Sequence, residues 1–412
     1  MTAEKRSNEL PETIAPDPTA AGDEASLILT GTAGLTSLPT VGRSGNQVTL
    51  TSRNEVRYRS ESVLGRGGMG EVRLASDQDI GRRVAVKRLL DKKNPQSVAR
   101  FIDEVRTVGK LEHPNIVPIH DVGVDADGSL FFVMKYVDGE TLASIISRLR
   151  EGDGEYHKRY SFEARLDLFS GLLRALQYAH EQGMLHRDVK PENIMVGHFG
   201  EVMLTDWGIA RHVNHRQGSS ADNDKPAVEM PRASGQTIDG SIIGTIGYMS
   251  PEQASGHSEE IDARSDLYAA FVVLYELLST QAFAPRGDSL LKVITDAKER
   301  QAPQFLDPNF ASRYQPAVPA ELRHFLRRGL QPAKKDRFQS AGNVLRDLER
   351  IRSGEPPIQC AGTFIKVANA RLERLVDKRP ILAISLYVMT TCLFLIGIVT
   401  TCMVIVARWS PT

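Results

Sequence analysis

Apolar and polar positions change period several times along the chain, and each change marks an element. From Tyr58 to Ile80, short β-type runs surround a Gly-rich turn, and Arg83 to Leu89 is another strand-like run, which together predict a small antiparallel sheet. The period then lengthens. In Val98 to Leu111 the apolar residues Phe101, Val105, Val108 and Leu111 recur at helical spacing, with Glu104 beside that face. Two more strands, Ile116 to Val122 and Leu130 to Tyr136, are expected to pair across an Asp-Ala-Asp-Gly turn at Asp125 to Gly128. Helices dominate thereafter. Phe162 to His180 and Asp266 to Leu278 are apolar and periodic, while Ala320 to Leu330 and Gly342 to Ile351 are amphipathic. The pattern predicts an α+β protein: a sheet with one helix, then a mainly helical part.

Two segments fall outside this pattern. Residues 1–55 are rich in Thr, Ser, Gly and Pro and keep no sustained period, which predicts a disordered arm. Ile381 to Ala407 holds 27 residues without a charge. As a helix this run would extend roughly 40 Å, enough to cross a ~30 Å hydrocarbon core with tilt, so it predicts a single transmembrane helix embedded in the lipid bilayer. Arg371, Arg374, Lys378 and Arg379 precede it and only Arg408 follows, a bias that keeps the larger part of the chain in the cytoplasm and leaves residues 408–412 outside, too short a tail for an external sensor. Gly397 and the small residues Ala383, Ser385, Thr400 and Thr401 offer close packing for a homodimer, although no G-x-x-x-G is present.

Composition removes several function classes. Lys plus Arg and Asp plus Glu are equal at 51 each among 412 residues, so net charge gives no reason to expect nucleic acid as a partner. Cys360, Cys392 and Cys402 are the three cysteines, and two of them lie in the apolar run, which leaves neither a disulfide framework nor a cysteine zinc site. Met1 to Asp23 lacks an apolar h-region, so no signal peptide is expected.

The candidate chemistry begins at Leu64-Gly65-Arg66-Gly67-Gly68-Met69-Gly70-Glu71-Val72, a G-x-G-x-x-G whose glycines let backbone N–H groups approach phosphates. A dinucleotide-binding turn has the same spacing but opens into a helix, whereas this one continues through Glu71 to Leu74 as a strand. A hairpin covering a nucleotide fits better. Val84-Ala85-Val86-Lys87 places a lysine on the next strand, where an ammonium can neutralise phosphates if a carboxylate holds it, and Glu104 is the candidate. His186-Arg187-Asp188-Val189-Lys190-Pro191-Glu192-Asn193 matches H-R-D-x-x-x-x-N. It is followed by Asp206-Trp207-Gly208 and by Gly244-Thr245-Ile246-Gly247-Tyr248-Met249-Ser250-Pro251-Glu252.

This ordered set resembles the protein kinase family, and its G-x-G-G-M-G-E-V and G-T-x-G-Y-M-S-P-E segments look like the bacterial, eukaryote-like Ser/Thr branch. The resemblance covers roughly residues 58 to 350. It implies a bilobal kinase fold over 56–352, with an N-lobe at 56–136 and a C-lobe at 139–352, then a juxtamembrane linker at 353–380 and the transmembrane helix at 381–407. The implied activity is transfer of the γ-phosphoryl group of ATP to Ser or Thr hydroxyls of protein substrates, at the inner (plasma) membrane of a bacterium. Mg²⁺ is the implied cofactor, with Mn²⁺ as a substitute.

By the same resemblance, Asp188 orients and deprotonates the substrate hydroxyl, Lys190 sits near the γ-phosphate, and Asn193 with Asp206 holds the metal through hard oxygen ligands. Thr245 lines the substrate site. Leu64 to Gly70 cover the phosphates, the carbonyl of Lys135 and the backbone of Val137 read the adenine edge, and Val72, Ala85 and Met195 enclose its ring. Val108, Ile119, His186 and Trp207 stack as an internal hydrophobic column, Asp266 anchors the catalytic loop, and Glu252 pairs with Arg337. Trp207 stands where relatives usually carry Phe, and its indole N–H asks for a partner. The long polar activation segment from Asp206 to Glu252 predicts an autophosphorylation switch read by Arg187. Thr237 and Ser241 are the first candidates for it, with Ser219, Ser220 and Ser234 behind them. The competing expectation is a membrane-anchored pseudokinase that acts by binding, which the presence of Lys87, Glu104, Asp188, Asn193 and Asp206 together disfavours.

Overall fold

The computed structural model describes residues 27–30, 40–44, 47–51, 57–67, 70–125, 127–207, 211–212, 247–256, 258–283, 314–357 and 359–409. The chain forms two compact units, Met1–Val63 with Arg73–Val84, and Leu64–Val72 with Ala85–Thr412.

The first unit holds three short strands in the arm expected to lack order: β1 (Leu27–Thr30), β2 (Thr40–Ser44) and β3 (Gln47–Thr51), in the order β1-β3-β2. The β-branched residues Val48, Thr49 and Thr51 favour the extended backbone there. In the same unit Arg57 donates from Nε and Nη2 to the fully buried Asp77, each at 3.1 Å. That bidentate pairing satisfies a carboxylate that would otherwise be expensive to bury.

The main sheet has five strands, β4 (Tyr58–Arg66), β5 (Gly70–Asp77), β6 (Arg82–Leu89), β7 (Ile119–Val124) and β8 (Leu130–Lys135), in the order β4-β5-β6-β8-β7. The turn between β7 and β8 closes as expected, with Gly128 at φ 81° and its N–H donating to Asp125 O at 2.8 Å. The start of β7 differs from the sequence reading, which placed it at Ile116. Pro118 interrupts the ladder, and Ile116 instead bridges to Leu204 as a buried residue. Helix α1 (Pro95–Val108) begins earlier than its apolar period because Asn94 caps it, accepting from the N–H groups of Gln96 and Ser97, with Pro95 in the first turn.

Helices carry the rest of the second unit. Beyond β9 (Gly139–Thr141) lie α2 (Leu142–Glu151), α3 (Gly154–Arg159) and α4 (Phe162–Glu181). The short strands β10 (Met184–Leu185), β11 (Ile194–Gly197), β12 (Val202–Leu204) and β13 (Arg211–His212) follow. Then come α5 (Pro251–Ala254), α6 (Ala263–Ser279), α7 (Ala320–Gly329) and α8 (Ala341–Arg352). Helix α6 is buried on every side from Ser265 to Ser279, so it acts as the axle of this part. Phe271 on it meets Phe169 edge-on at 5.5 Å, Phe325 at 5.1 Å, and Phe338 in a stack at 5.3 Å. Each such ring contributes about 1.5–3 kcal/mol through burial alone.

The segment read as a juxtamembrane linker is helical over α9 (Ala361–Lys378), and α10 (Pro380–Trp409) follows it with Ile381, Phe394 and Met403 well exposed. Among the described residues, no helix is long and apolar enough to cross a membrane. The transmembrane helix of the sequence reading is therefore no part of the established fold, although the backbone of α10 is helical throughout.

Candidate active site

Lys87 lies on β6 and Glu104 on α1, and Lys87 Nζ donates to Glu104 Oε1 at 2.6 Å. The same ammonium reaches Asp206 Oδ1 at 3.1 Å. Burial by itself would lower the Lys87 pKa, but the two carboxylates outweigh it and hold the ammonium above its ordinary value. For Asp206 burial works in the opposite direction, and Lys87, helped by His186 and Lys190, keeps the carboxyl below the usual carboxylate range. The result is a fixed positive charge between two carboxylates. The far oxygen of Glu104, Oε2, is buried without a hydrogen-bond partner among the described residues.

The catalytic loop closes around a second cluster. Lys190 Nζ donates to Asp188 Oδ2 at 2.8 Å, and the amide nitrogen of Asn193 donates to Asp188 O at 2.9 Å and to Oδ2 at 3.1 Å. With its nitrogen turned toward Asp188, Asn193 has its amide oxygen left for a cation. That oxygen and the Asp206 carboxylate are hard donors of the kind Mg²⁺ takes, and so they fit such an ion. The described residues contain no group of three or more His, Cys, Asp or Glu that could hold a metal.

The loop that carries Asp188 is held from below by Asp266, buried near the start of α6. Its Oδ2 accepts from His186 N at 2.9 Å and its Oδ1 from Arg187 N at 2.8 Å. His180, which the motifs did not single out, lies 2.9 Å from Oδ2 through Nε2. Arg187 and Asp206 adopt φ of 66° and 60°, a left-handed backbone that non-glycine residues adopt only where surrounding bonds impose it. Glu252 receives both terminal nitrogens of Arg337, at 2.8 and 2.9 Å. His186 and Trp207 meet edge-on at 4.6 Å, and Val108, Trp207 and Ile119 share one core cluster. The indole Nε1 of Trp207 is buried without a partner among the described residues.

The residues expected to enclose a nucleotide differ in burial. Ala85 and Val137 are buried and Val72 and Met195 half-buried, while Lys135 spends its N–H on Pro118 O at 3.1 Å. Leu64 and Gly65 lie on β4, and Arg66 at its end pairs with Glu71. Gly67 N donates to Gly70 O at 2.9 Å, which closes the turn. Gly70 is obligatory there: a methyl group would run into the carbonyl of Arg88. Gly68, Met69, Thr237, Ser241 and Thr245, together with Ser219, Ser220 and Ser234, lie outside the described residues.

A model of the protein kinase domain matches residues 58–347, most of the chain. The chain belongs to the protein kinase family. It is 33% identical over 309 residues to the serine/threonine-protein kinase PknD of Protochlamydia amoebophila, covering 74% of this chain and 30% of that protein. Against the probable serine/threonine-protein kinase SCO3848 of Streptomyces coelicolor it is 36% identical over 310 residues, 73% of this chain and 40% of the relative. PknD of Chlamydia pneumoniae matches at 32%, over 73% of this chain and 31% of its own length. The kinase domain is thus of the bacterial Ser/Thr type, and the chain spans about a third of the length of these relatives. Family membership carries with it the use of ATP and a divalent metal.

Proposed function

We propose that the chain is an ATP-dependent protein kinase that transfers the γ-phosphoryl group to Ser and Thr hydroxyls of proteins. The observation that carries this reading is the double contact of Lys87 with Glu104 at 2.6 Å and Asp206 at 3.1 Å, beside the bonded set Asp188, Lys190 and Asn193. Phosphoryl transfer needs little covalent help from a protein, so positioning and charge neutralisation do most of the catalysis. Lys87 holds the α- and β-phosphates of the substrate nucleotide, and Leu64 to Gly70 cover them. Lys135 and Val137 take the adenine edge, with Val72, Ala85 and Met195 around the ring. Asp188 orients the acceptor hydroxyl and takes its proton, while Lys190 faces the charge that develops on the transferred group. Mg²⁺, held by Asn193 and Asp206, supplies further neutralisation of the phosphates when bound.

The reading extends to regulation and place. Autophosphorylation in the activation segment from Asp206 to Glu252, first at Thr237 or Ser241, is the switch, with Arg187 holding the added phosphate, and Thr245 lines the acceptor site. Residues 381–407 anchor the chain in the bacterial inner membrane as a helix, with the kinase domain on the cytoplasmic side, a reading supported by the uncharged run in the sequence and the basic residues that precede it. Pairing of two copies through this helix stays part of the proposal. Pure binding without catalysis is the alternative, and the presence of Lys87, Glu104, Asp188, Asn193 and Asp206 together argues against it.

The test is transfer of labelled γ-phosphate from ATP and Mg²⁺ by the detergent-solubilised chain beside an Asp188→Asn control, followed by mapping of modified residues. Label on Ser or Thr that disappears in the control supports the kinase. ATP binding without transfer supports the binding-only alternative. Release of the chain from membranes by alkaline carbonate would rule out the spanning helix.

A further inference from the structure

Gln253 belongs to no motif of phosphate or metal binding, yet it touches the catalytic loop. It sits on the single turn α5, where Ser250 caps the helix: Ser250 Oγ accepts from Gln253 N at 3.4 Å, and Gln253 Oε1 accepts from Ser250 N and Oγ, each at 3.0 Å. This reciprocal capping fixes the side-chain amide and leaves its nitrogen pointing away. Gln253 Nε2 donates to the carbonyl oxygen of Arg187 at 3.0 Å. Arg187 is one of three described non-glycine residues with positive φ, and its N–H is held by Asp266 Oδ1 at 2.8 Å. Both backbone polar groups of this strained residue are therefore bonded to side chains, its N–H from α6 and its C=O from α5. The peptide that Gln253 holds is the one joining Arg187 to Asp188.

We propose that Gln253 is a positioning residue for phosphoryl transfer, which sets the rotation of the Arg187–Asp188 peptide and thereby the aim of the Asp188 carboxylate. The inference rests on the kinase reading above. It gives the activation segment, whose end at Glu252 lies within α5, a physical line to the catalytic aspartate. Without the amide donor, the Arg187 carbonyl loses the Gln253 hydrogen bond and the left-handed backbone can relax, which misaims Asp188 without touching the nucleotide.

The test uses the full chain in detergent with Mg²⁺, ATP and myelin basic protein as acceptor, and compares Gln253→Leu and Gln253→Glu with the parent. Gln253→Leu is expected to lower kcat by about 10- to 100-fold with the KM for ATP unchanged. Gln253→Glu retains oxygens that can accept from Ser250, but its ionised form cannot donate to Arg187 O. Its protonated form can. The activity of Gln253→Glu relative to the parent should therefore rise as pH falls, a signature that a merely structural role would not give, and this variant still decides the matter if Gln253→Leu does not fold. Parental kcat in Gln253→Leu, or a deficit in Gln253→Glu that acid does not relieve, overturns the proposal. A parent chain that transfers no phosphate overturns the kinase reading on which it stands.

Discussion

Two buried polar clusters of similar composition behave differently, and the difference separates scaffold from site. Around Arg337 every donor is used: Nε bonds Gln331 O, Nη1 bonds Glu252 Oε1 and Arg264 O, and Nη2 bonds Glu252 Oε2 and Pro332 O. Glu252 also accepts from Ser265 Oγ at 2.6 Å. Around Lys87 the accounting is incomplete, since Glu104 Oε2 and the indole of neighbouring Trp207 have no partner among the described residues. A saturated cluster can only hold elements together. One that leaves buried polar atoms over carries an expense in stability that a purely structural cluster does not.

The sharpest way to separate the clusters is to damage each and ask whether activity or stability suffers. Asp188→Asn should lower phosphoryl transfer by about 10²- to 10⁴-fold, the usual range for a lost general base, while the thermal midpoint stays near that of the parent. Arg337→Ala should do the reverse, destabilising the fold by about 3–5 kcal/mol in denaturant titration because Glu252 is left buried and unpaired. If Arg337→Ala unfolded no more easily than the parent, the scaffold assignment would be wrong.

Acid should reveal the same division. Burial alone would raise Glu252, but Arg337 and Ser265 hold it below its ordinary value of 4.5. Asp266 lies likewise below 3.8, burial being outweighed by His180 and the loop N–H of Arg187. A carboxyl depressed in the folded state adds stability that is fully present above its unfolded value and is lost as pH falls through the folded one. Unfolding free energy should therefore fall as the pH drops below these ordinary values, and the slope should be shallower in Glu252→Gln, which lacks one of the two groups. The smallest effect is expected at Trp207→Phe. The lost ring volume destabilises, removal of an unpartnered buried N–H compensates, and the net change in stability should stay within about 1 kcal/mol. A larger loss would mean that the indole has a partner after all.

Much of this was legible in the sequence, for a physical reason. Phosphate and metal chemistry demands particular atoms, so Lys87, Asp188, Asn193 and Asp206 announce themselves by type and spacing. The helical period likewise located α1, α4 and α6, because an apolar face must repeat every turn to be buried. Boundaries and supports were less visible. The start of α1 depends on Asn94 as a cap, and the start of β7 depends on Pro118 breaking the ladder, which a pattern of apolar residues does not weigh. His180 and Gln253 act through single hydrogen bonds to residues 86 and 66 positions away, and no local period encodes a partner at that distance. The arm showed how composition can mislead, since its Thr-rich runs suggested a solvated tail where β1, β2 and β3 pair.

The helix that replaces the expected linker changes what the catalytic domain can reach. A flexible coil of the length of residues 353–380 would let its ends separate by roughly 30 Å and turn freely. Instead α9 is fastened to the domain, with Val367 buried and Lys366 Nζ bonded to Glu321 of α7 at 2.8 Å. The linker expected at 353–380 is thus helical over α9 and packed against the domain. Only Arg379 separates α9 from α10, so the first turn of α10 stays close to the domain on which α9 is packed.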